Sequence, residues 1–455
     1  MEVEIISTEC IKPSSPTPPN LRTHKLSLLD QFVPSVYIPV ILFYPVNQST
    51  GDAVADLISQ RRQLLKQSLS ETLTHFYPFA GRIIDNLSID CSDEGGVDYL
   101  EARVNCILVD YLNQPDPASL LKFLAREGSW KEPSEGDPVA MVQVNIFACG
   151  GIAIGVLVCH MIADGTAMSV FLKGWAATAR KACHAVCPNF EAPSIFIQSE
   201  AYPKEATMMA LTTPFLRFGK CTTRRIAFDA SAIASLQANA SSSSVRNPTR
   251  VEVVSALLWK CITAALQAKS GIKRPTFITH AVNLRPRSIP AFTNCTMGNL
   301  VWTVDASCEG EETDLPCMVN KIKEAIKKIN ADFVKNLQGD EGFSKLCQLV
   351  KTMGGALSSA ASTSSGMDYA CCCISWCNFG LYDVDFGWEK PRWVSSVGSS
   401  NDDPEHLFPN TIILMDTRST GGIEAWVCLD KDDMTVLGQD KELLAFASLD
   451  PSPLN

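Results

Sequence analysis

Apolar residues recur at intervals of three and four in several long segments of the chain, which places them on one face of a helix. The segments with the clearest stripes contain Leu57, Ile58, Leu65, Leu69 and Leu73; Val254, Leu258, Ile262 and Leu266; and Val319, Ile322, Ile326, Ile329, Phe333 and Leu337. Thr249 and Glu252 have the spacing of a capping box before the second stripe, and Gly271 follows it. We therefore predict an amphipathic helix for each stripe, and we expect the second helix to begin at the capping box and end at the glycine.

Other segments are strand-like, because they are rich in β-branched and other apolar residues. These segments are 36–44, 142–148, 152–160, 275–284, 411–418 and 422–429. Gly150 and Gly151 separate the second segment from the third and predict a hairpin. The 18 residues from 146 to 163 carry no formal charge and approach the length of a membrane helix, but the two glycines and the β-rich composition favour the hairpin.

Helical and strand segments alternate irregularly in both halves of the chain, a pattern typical of the α/β class. The 455 residues are enough for two domains of about 200 residues each. The segment 187–213 is rich in proline and polar residues and has no clear period, so it is the best candidate for a connection between domains. We predict an N-terminal domain over residues 1–200, a crossover linker over 201–215 and a C-terminal domain over 216–455.

The composition narrows the classes of protein to be considered. Hydrophobic residues make up 46% of the chain and charged residues 19%, which excludes a disordered or fibrous protein. The net charge of -10 has the wrong sign for a surface that gathers nucleic acid. The N-terminus is acidic and lacks the apolar core of a secretion signal, and 18 cysteines are scattered through the chain. We therefore expect a cytoplasmic protein with reduced thiols, with neither membrane nor nucleic acid as a partner.

Cysteines cluster between positions 371 and 377, which raises the question of a metal site. Their spacing is not that of paired CxxC ligands, and Ile374 and Trp376 lie among them. We predict a buried strand that contains cysteines, and no metal.

The clearest chemical signal is HMIADG at 160–165, directly after a predicted buried strand. Catalytic residues are common where a strand leaves the core. Each residue also has a structural interpretation, because Asp164 could cap the following helix, Gly165 could relax the turn, and His160 could be a core histidine. The pattern HxxxDG should arise by chance roughly 0.02 times in a chain of this composition. A second motif, DFGW at 385–388, is rarer still.

Other enzyme classes lack their sequence signals. The chain has no GxSxG nucleophile elbow, which argues against a serine hydrolase of that type. It also has no GxGxxG or GxxxxGK motif, which argues against a dinucleotide site and a P-loop.

The HxxxD and DFGW motifs, together with YPFAGR at 77–82, resemble the signatures of the plant BAHD acyltransferase family. Similar segments cover nearly the whole chain, among them LSLLDQ at 26–31, NLRPR at 283–287, MGN at 297–299 and MDTRSTGGIEAW at 415–426. The opening half is most similar to the alkaloid-acetylating, vinorine synthase-like branch. The resemblance implies a two-domain α/β fold like that of chloramphenicol acetyltransferase, with mixed sheets, a solvent channel between the domains and a monomeric state.

The same resemblance implies roles for individual residues. His160 would lie in the middle of the channel and act as the catalytic base. Asp164, next to Gly165, would turn away from the substrate and pair with Arg285. The residues of the DFGW segment would support the architecture and the donor side without taking part in proton transfer; they are Asp385, Phe386, Gly387 and Trp388.

Two positions depart from the family pattern. The stretch ISW occupies the place of the family's TSW, so Ile374 replaces a threonine. Trp376 is the expected donor to an oxyanion, and Ser375 is the residue that could compensate for the lost hydroxyl. Glu389 replaces the last glycine of DFGWG, and glutamate would be strained there by roughly 1 to 2 kcal/mol if the position requires a positive φ.

The resemblance implies a CoA-dependent O-acyltransferase that works by direct general-base catalysis without an acyl-enzyme. Its co-substrate would be an acyl-CoA, with acetyl-CoA as the preferred donor, and its acceptor would be a small-molecule alcohol such as an alkaloid or terpenoid. No permanently bound cofactor and no metal are expected, because a thioester is already activated. Two alternatives stay open: transfer to nitrogen or of an aromatic acyl group, and a non-catalytic ligand-binding scaffold suggested by the two departures.

Overall fold

A computed structural model of the chain describes residues 1–46, 52–126, 132–183, 186–271, 275–308, 314–362 and 369–454. The strands, in chain order, are β1 (Val3–Ile11), β2 (Thr23–Lys25), β3 (Tyr37–Tyr44), β4 (Arg82–Ile83), β5 (Ser88–Asp90), β6 (Val97–Val104), β7 (Ala140–Phe147), β8 (Ile152–Cys159), β9 (Leu216–Phe218), β10 (Cys221–Phe228), β11 (Thr276–Asn283), β12 (Val301–Cys308), β13 (Tyr369–Ser375), β14 (Trp393–Ser395), β15 (Ser400–Asn401), β16 (Leu407–Pro409), β17 (Thr411–Asp416), β18 (Ile423–Asp430) and β19 (Ser448–Leu449). The α-helices are α1 (Leu28–Gln31), α2 (Asp52–His75), α3 (Leu108–Asn113), α4 (Gly165–Ala179), α5 (Ala192–Ile195), α6 (Lys204–Thr212), α7 (Ala230–Ala240), α8 (Arg250–Ser270), α9 (Leu315–Lys327), α10 (Ala331–Asn336), α11 (Gly342–Ser362), α12 (Lys431–Leu437) and α13 (Lys441–Leu444).

The N-terminal domain is built on a six-stranded sheet in the order β1-β6-β7-β8-β3-β14. This sheet is mixed, because β6 and β7 run parallel while the other neighbours are antiparallel. β7 and β8 form the predicted hairpin, and every residue of both strands is buried. Leu65, Leu69 and Leu73 of the predicted stripe on α2 are fully buried in the same core.

The C-terminal domain is built on a larger mixed sheet in the order β12-β11-β13-β17-β18-β10-β15, with β19 beside β10. The central strands β11, β13 and β17 run parallel, and the pairs that flank them are antiparallel. Helix α8 packs into the core of this domain. It begins at the predicted capping box of Thr249 and Glu252 and ends before Gly271, whose φ of 68° is left-handed, so both predicted ends are confirmed.

The third predicted helix needs correction. Its stripe from Val319 to Leu337 is divided between two helices, because α9 ends at Lys327 and α10 begins after Asn330. The side chain of Asn330 accepts a hydrogen bond from the backbone N–H of Phe333 at 2.9 Å and so caps α10. The apolar spacing continues across the break, which is why periodicity alone predicts one helix. The linker predicted over 201–215 also contains a helix, α6.

Strand β14 comes from the C-terminal half of the chain but pairs with β3 at the edge of the N-terminal sheet, an excursion that the domain boundaries drawn from the sequence do not include. Trp393 on this strand donates its indole N–H to Glu424 of β18 at 3.3 Å. Trp426 and Arg225 also donate to the buried Glu424 carboxylate, at 2.9 Å each. Three donors therefore satisfy one buried carboxylate where the two sheets meet.

One segment of α8, Arg250–Ala268, is long and apolar enough to cross a membrane, and 67% of it is buried in the protein. The core helix of a folded domain has the same length and composition. The uncharged segment 146–163 includes the end of β7, all of β8 and the turns around them. The cysteines between 371 and 377 lie on β13 or directly after it, as predicted, and no group of three or more candidate ligands that could hold a metal ion occurs among the described residues.

Candidate active site

A cavity of about 1420 Å³ is lined by residues of both domains. Its floor is one face of the C-terminal sheet, with side chains from β10, β11, β12, β13, β17 and β18. His160, Gly165 and Lys173 of the N-terminal domain lie on its wall. Apolar side chains such as Phe277 and Ile413 supply much of the lining, so the cavity suits a large and mostly apolar ligand.

His160 directly follows β8, and its orientation is set by Asn299. Its ring Nδ1 lies 2.9 Å from Oδ1 of Asn299. The Nδ2 of Asn299 donates to Oδ1 of Asp30 at 2.8 Å and to the backbone carbonyl of His160 at 2.6 Å, which fixes the orientation of the amide. Oδ1 of Asn299 is therefore an acceptor, and the neutral imidazole carries its proton on Nδ1. Nε2 is left as the ring nitrogen that can take up a proton.

Asp30 holds Asn299 in place from a buried capping box. Its Oδ2 accepts hydrogen bonds from the backbone N–H and the hydroxyl of Ser27, both at 2.7 Å, and its Oδ1 also accepts the backbone N–H of Asn299 at 2.8 Å. Neither Asp30 nor Asn299 is assigned a role from the sequence, although each lies in a segment that resembles the family. The S-x-x-D spacing of Ser27 and Asp30 is the signal that marks this turn as a capped helix start.

The surroundings of His160 favour its neutral form. Burial lowers the pKa of His160 from its ordinary value of 6.5, while the charges of Asp164 and Asp30 act in the opposite direction. A neutral imidazole is the form that can accept a proton. The two carboxylates would stabilise the cation that forms when it does so, and His160 can therefore hold a proton transiently.

Asp164 has both of the roles considered from the sequence. Its Oδ1 caps α4 by accepting the backbone N–H of Ala167 at 2.9 Å. The carboxylate also accepts two hydrogen bonds from the fully buried Arg285, at 2.6 and 3.1 Å, as the resemblance implied. The guanidinium donates further to the carbonyl oxygens of Thr296 and Gly298. This ion pair joins the start of α4 in one domain to the segment before β12 in the other.

Gly165 is required for close packing. A Cβ atom at this position would lie 2.4 Å from Cε2 of Phe379, so any other residue would displace that ring. The ammonium of Lys173, two turns further along α4, donates to the backbone carbonyl of Phe379. The glycine therefore allows α4 to approach the segment after β13, which is a different reason from the relaxed turn considered above.

The predicted oxyanion stretch lines the cavity at the end of β13. Ile374, Ser375 and Trp376 all contribute to the lining. The hydroxyl of Ser375 accepts the backbone N–H of Cys377 at 3.3 Å, and the backbone N–H of Trp376 donates to Leu414 at 2.7 Å. The indole N–H of Trp376 has no hydrogen-bond partner in the described part of the chain. That group is available to donate to a ligand oxygen.

The DFGW segment lies outside the lining of the cavity. Oδ1 of Asp385 accepts the backbone N–H groups of Gly387 and Glu389, at 2.8 and 3.1 Å. Phe386 is fully buried, and its ring packs edge-on against Trp175 of α4 with centroids 5.0 Å apart. These contacts fit the architectural role implied for the segment, and its contribution to the donor side stays a prediction.

Glu389 has a φ of 136°, and this positive φ is the conformation in which glutamate was expected to be strained. Arg61 of α2 lies nearby, with its guanidinium 4.9 Å from the centre of the Trp388 ring. Burial lowers the pKa of Arg61, and the charge of Glu389 acts in the opposite direction. Glutamate at this position therefore strains the backbone while it supplies a counter-charge.

The chain is similar to known proteins over both of its domains. The family model described as "Transferase family" matches residues 1–444. The chain is 50% identical to an epi-neemfruitin B 7-O-acetyltransferase of Melia azedarach and 50% identical to a limonoid 7-O-acetyltransferase of Citrus sinensis, each match covering 100% of both proteins. It also matches the crystal structure of vinorine synthase, with a TM-score of 0.79, 32% identity and 100% coverage of both chains. These similarities extend over both domains and confirm the two-domain α/β fold.

The hydrogen bond to Asn299 predicts the ionisation and tautomer of His160. In an NMR titration of the ring nitrogens, the wild-type residue should titrate below 6.5 and carry its neutral-state proton on Nδ1, because burial disfavours the cation and Asn299 accepts that proton. The variant Asn299→Ala should lose the tautomer preference. Asn294→Ala, which removes another amide from the cavity wall, is the matched control and should leave the spectrum of His160 unchanged. A wild-type titration midpoint above 7 would contradict this account.

The positive φ of Glu389 predicts that Glu389→Gly stabilises the protein by about 1 kcal/mol, because glycine adopts this conformation without strain. The loss of an exposed charge beside Arg61 should offset only a small part of this gain. Thermal and denaturant unfolding measure the effect. Glu389→Ala is the control, since it removes the charge but keeps the Cβ atom and should give no gain. Equal stabilisation by alanine and glycine would rule out backbone strain as the cause.

Proposed function

This chain belongs to the Transferase family, the BAHD acyltransferases, and on that basis we propose that it is an O-acetyltransferase that moves the acetyl group of acetyl-CoA to a hydroxyl group of an oxygenated terpenoid. Two relatives that are 50% identical over their full length are named for 7-O-acetyl transfer, one of them to limonoids as a class. A limonoid alcohol is therefore the acceptor that we propose. The observation that carries the reaction is the imidazole of His160, held by Asn299 with Nε2 free, on the wall of a large apolar cavity.

The reaction requires one proton to move twice. An alcohol is a far weaker acid than an imidazolium, so His160 must take the proton as the acceptor oxygen attacks the thioester carbonyl. Asn299 holds the ring by its Nδ1–H, and the Asp30 carboxylate behind it stabilises the imidazolium that forms. When the tetrahedral intermediate collapses, the thiolate of CoA leaves and receives the proton from Nε2. No acyl-enzyme is needed, because both substrates meet beside the same base.

The negative charge on the tetrahedral intermediate needs a hydrogen-bond donor. We assign this role to the indole N–H of Trp376, which lines the cavity without a partner among the described residues. A donor of this kind contributes about 3 to 4 kcal/mol to transition-state stabilisation in other acyl-transfer enzymes. Ile374 has no hydroxyl and adds only apolar surface, and the hydroxyl of Ser375 accepts from the backbone N–H of Cys377.

The charges on the cavity wall suggest where acyl-CoA binds. Lys173 is the one lysine or arginine among the described residues that line the cavity. It lies beside Phe379, beyond Trp376 along the chain. The phosphates of CoA are most stable near a cation, so we place the acyl-CoA on the Lys173 side of His160.

The alternatives are less well supported. A non-catalytic scaffold has no need for a base whose tautomer is fixed through Asn299 and Asp30. Glu389, one of the two departures that suggested a scaffold, lies outside the cavity and so does not alter its lining. Transfer to nitrogen or of an aromatic acyl group would use the same base. Acetyl transfer to oxygen is favoured over both by the two full-length relatives.

We further propose that the enzyme acts as a monomer in the cytoplasm. The cavity has residues from both domains of one chain on its wall, so a second copy is not needed to complete it. All 18 cysteines lie in the described part of the chain and none is joined to another by a disulfide there, which suits a reducing compartment.

The proposed reaction is tested by incubating the purified protein with acetyl-CoA and a limonoid that has a free 7-hydroxyl group, with an indole alkaloid alcohol and a phenolic alcohol as comparison acceptors. Thiol release and a mass increase of one acetyl group on the limonoid are the expected results. His160→Ala should fold and lose at least about a hundredfold in kcat, because no other group takes its proton. A near-normal rate in that variant would remove His160 from the mechanism, and acetylation of the comparison acceptors alone would overturn the proposed acceptor class.

Asn299 acts as a positioning residue, and its loss should be visible in kcat. Asn299→Ala should lower kcat by about ten- to a hundredfold with little change in either KM, since the ring of His160 would no longer be held in one orientation. Asn294→Ala is again the matched control and should retain the wild-type kcat. A kcat for Asn299→Ala equal to that of the wild type, in a variant of normal thermal stability, would show that the ring needs no such support.

A further inference from the structure

A row of hydroxyl, thiol and carboxylate side chains crosses six neighbouring strands on the floor of the cavity. Strand pairing places each member opposite the next, and all of them line the cavity; in order they are Asp305, Thr279, Cys372, Thr411, Cys428 and Thr223. We call these six residues the polar row. Because neighbouring strands lie about 4.8 Å apart, the polar row spans roughly 24 Å. Such a row within a largely apolar lining needs an explanation.

On strands β13, β17 and β18 the surface between the polar row and His160 is apolar, whereas on β11 and β12 the corresponding lining residues are Ala281 and Thr303. The residues two positions nearer to His160 along β13, β17 and β18 are Ile374, Ile413 and Trp426, which are paired with one another in that order and line the cavity. They form a plate on which a flat carbon framework can pack.

The strand geometry gives the distance from the reacting centre to the polar row. Asn299, which holds His160, lies two residues before Val301, where β12 begins. Asp305 lies four residues beyond Val301, or about 13 Å along the strand. A ligand that reaches from His160 to the polar row must therefore be extended, and the apolar plate offers a surface on which its carbon framework can pack.

Three members of the polar row have unused hydrogen-bonding capacity. The hydroxyl of Thr279 is buried and forms no hydrogen bond of good geometry with the described residues, although it lies close enough to the Cys372 thiol to interact with it. Asp305 is exposed on β12, and neither its carboxylate nor the hydroxyl of Thr411 forms a hydrogen bond or ion pair with the described part of the chain. Polar groups on a cavity wall that the protein does not satisfy are sites for ligand oxygens.

Charge indicates which of the two substrates meets the polar row. The carboxylate of Asp305 would repel the phosphates of CoA. Lys173 is the cation of the lining, and it contacts Phe379 just after the end of β13. The polar row crosses β13 earlier along the strand, at Cys372. The polar row is therefore on the acceptor side.

We propose that the polar row binds oxygen atoms at the end of the acceptor remote from the reacting hydroxyl. The polycyclic framework packs on the apolar plate, Thr279 and Thr411 donate to carbonyl or ether oxygens, and Asp305 accepts from hydroxyl groups. The enzyme thereby selects polycyclic alcohols that are oxygenated at both ends over those that carry only the reacting hydroxyl. This inference rests on the proposed function, because it assigns one part of that acceptor to one part of the cavity.

The test compares two acceptors: a limonoid with a free 7-hydroxyl group and oxygen atoms on its remote rings, and a tetracyclic triterpene alcohol that carries only the reacting hydroxyl. Thr411→Val keeps the shape of the side chain and removes its hydroxyl. It should raise KM for the limonoid about five- to tenfold. The kcat, the KM for the simple alcohol and the KM for acetyl-CoA should keep their wild-type values. Asp305→Asn should likewise raise KM for the limonoid relative to KM for the simple alcohol.

Two control variants separate hydrogen bonding from general damage. Thr411→Ser keeps the hydroxyl and should restore most of the affinity for the limonoid. Thr435→Val makes the same exchange on the exposed surface of α12 and should change nothing. Calorimetric titration of the limonoid into His160→Ala protein, with and without Thr411→Val, measures the same subsite without turnover.

The outcomes distinguish this inference from the proposed function. An unchanged ratio of the two acceptor KM values in both Thr411→Val and Asp305→Asn would overturn the inference, and so would a rise in KM for acetyl-CoA alone, which would assign the polar row to CoA. If the wild-type protein formed product from neither of the two acceptors, the proposed function would be overturned. In that case the calorimetric comparison still decides whether limonoid binding depends on Thr411.

Discussion

The buried ion pair between Asp164 and Arg285 is the interaction on which the rest of the site depends. A bidentate pair shielded from water is stable only if its remaining donors and acceptors are satisfied, and here the cap of α4 and the carbonyls of Thr296 and Gly298 satisfy them. The pair thus fixes the segment that leads to Asn299 against the turn that carries His160. The proposed catalytic base belongs to one domain and the amide that orients its ring belongs to the other, so the proposed chemistry requires the correct assembly of the two domains.

Beyond this pair, the site has few charges. Burial favours the neutral form of His160. The carboxylate of Asp30 lies behind Asn299 and favours the cation without contacting the ring. Most of the remaining lining is apolar, so polar groups on it have large effects on which ligand is accepted. Lys173 contacts Phe379 after the end of β13, whereas the polar row crosses that strand at Cys372, so the proposed sites for acyl-CoA and for the remote end of the acceptor are chemically distinct.

The sequence predicted those features that depend on neighbouring residues. The ends of α8 follow from a capping box and a glycine, and the hairpin of β7 and β8 follows from two adjacent glycines. Resemblance, in contrast, identified the partner of Asp164, because no local pattern connects it to a residue so far along the chain. The contact of His160 with Asn299 joins residues 139 positions apart. The polar row depends on the register of six strands and is not visible in any one segment.

Strand β14 has a consequence for how the chain is made. Residues 393–395 complete the edge of a sheet whose other strands end at residue 159. During synthesis, the backbone N–H and C=O groups of β3 that pair with β14 therefore stay unpaired while more than two hundred further residues are made. Vectorial folding of the first domain cannot finish on its own, and the nascent chain must keep that edge protected from other chains until its own late strand arrives.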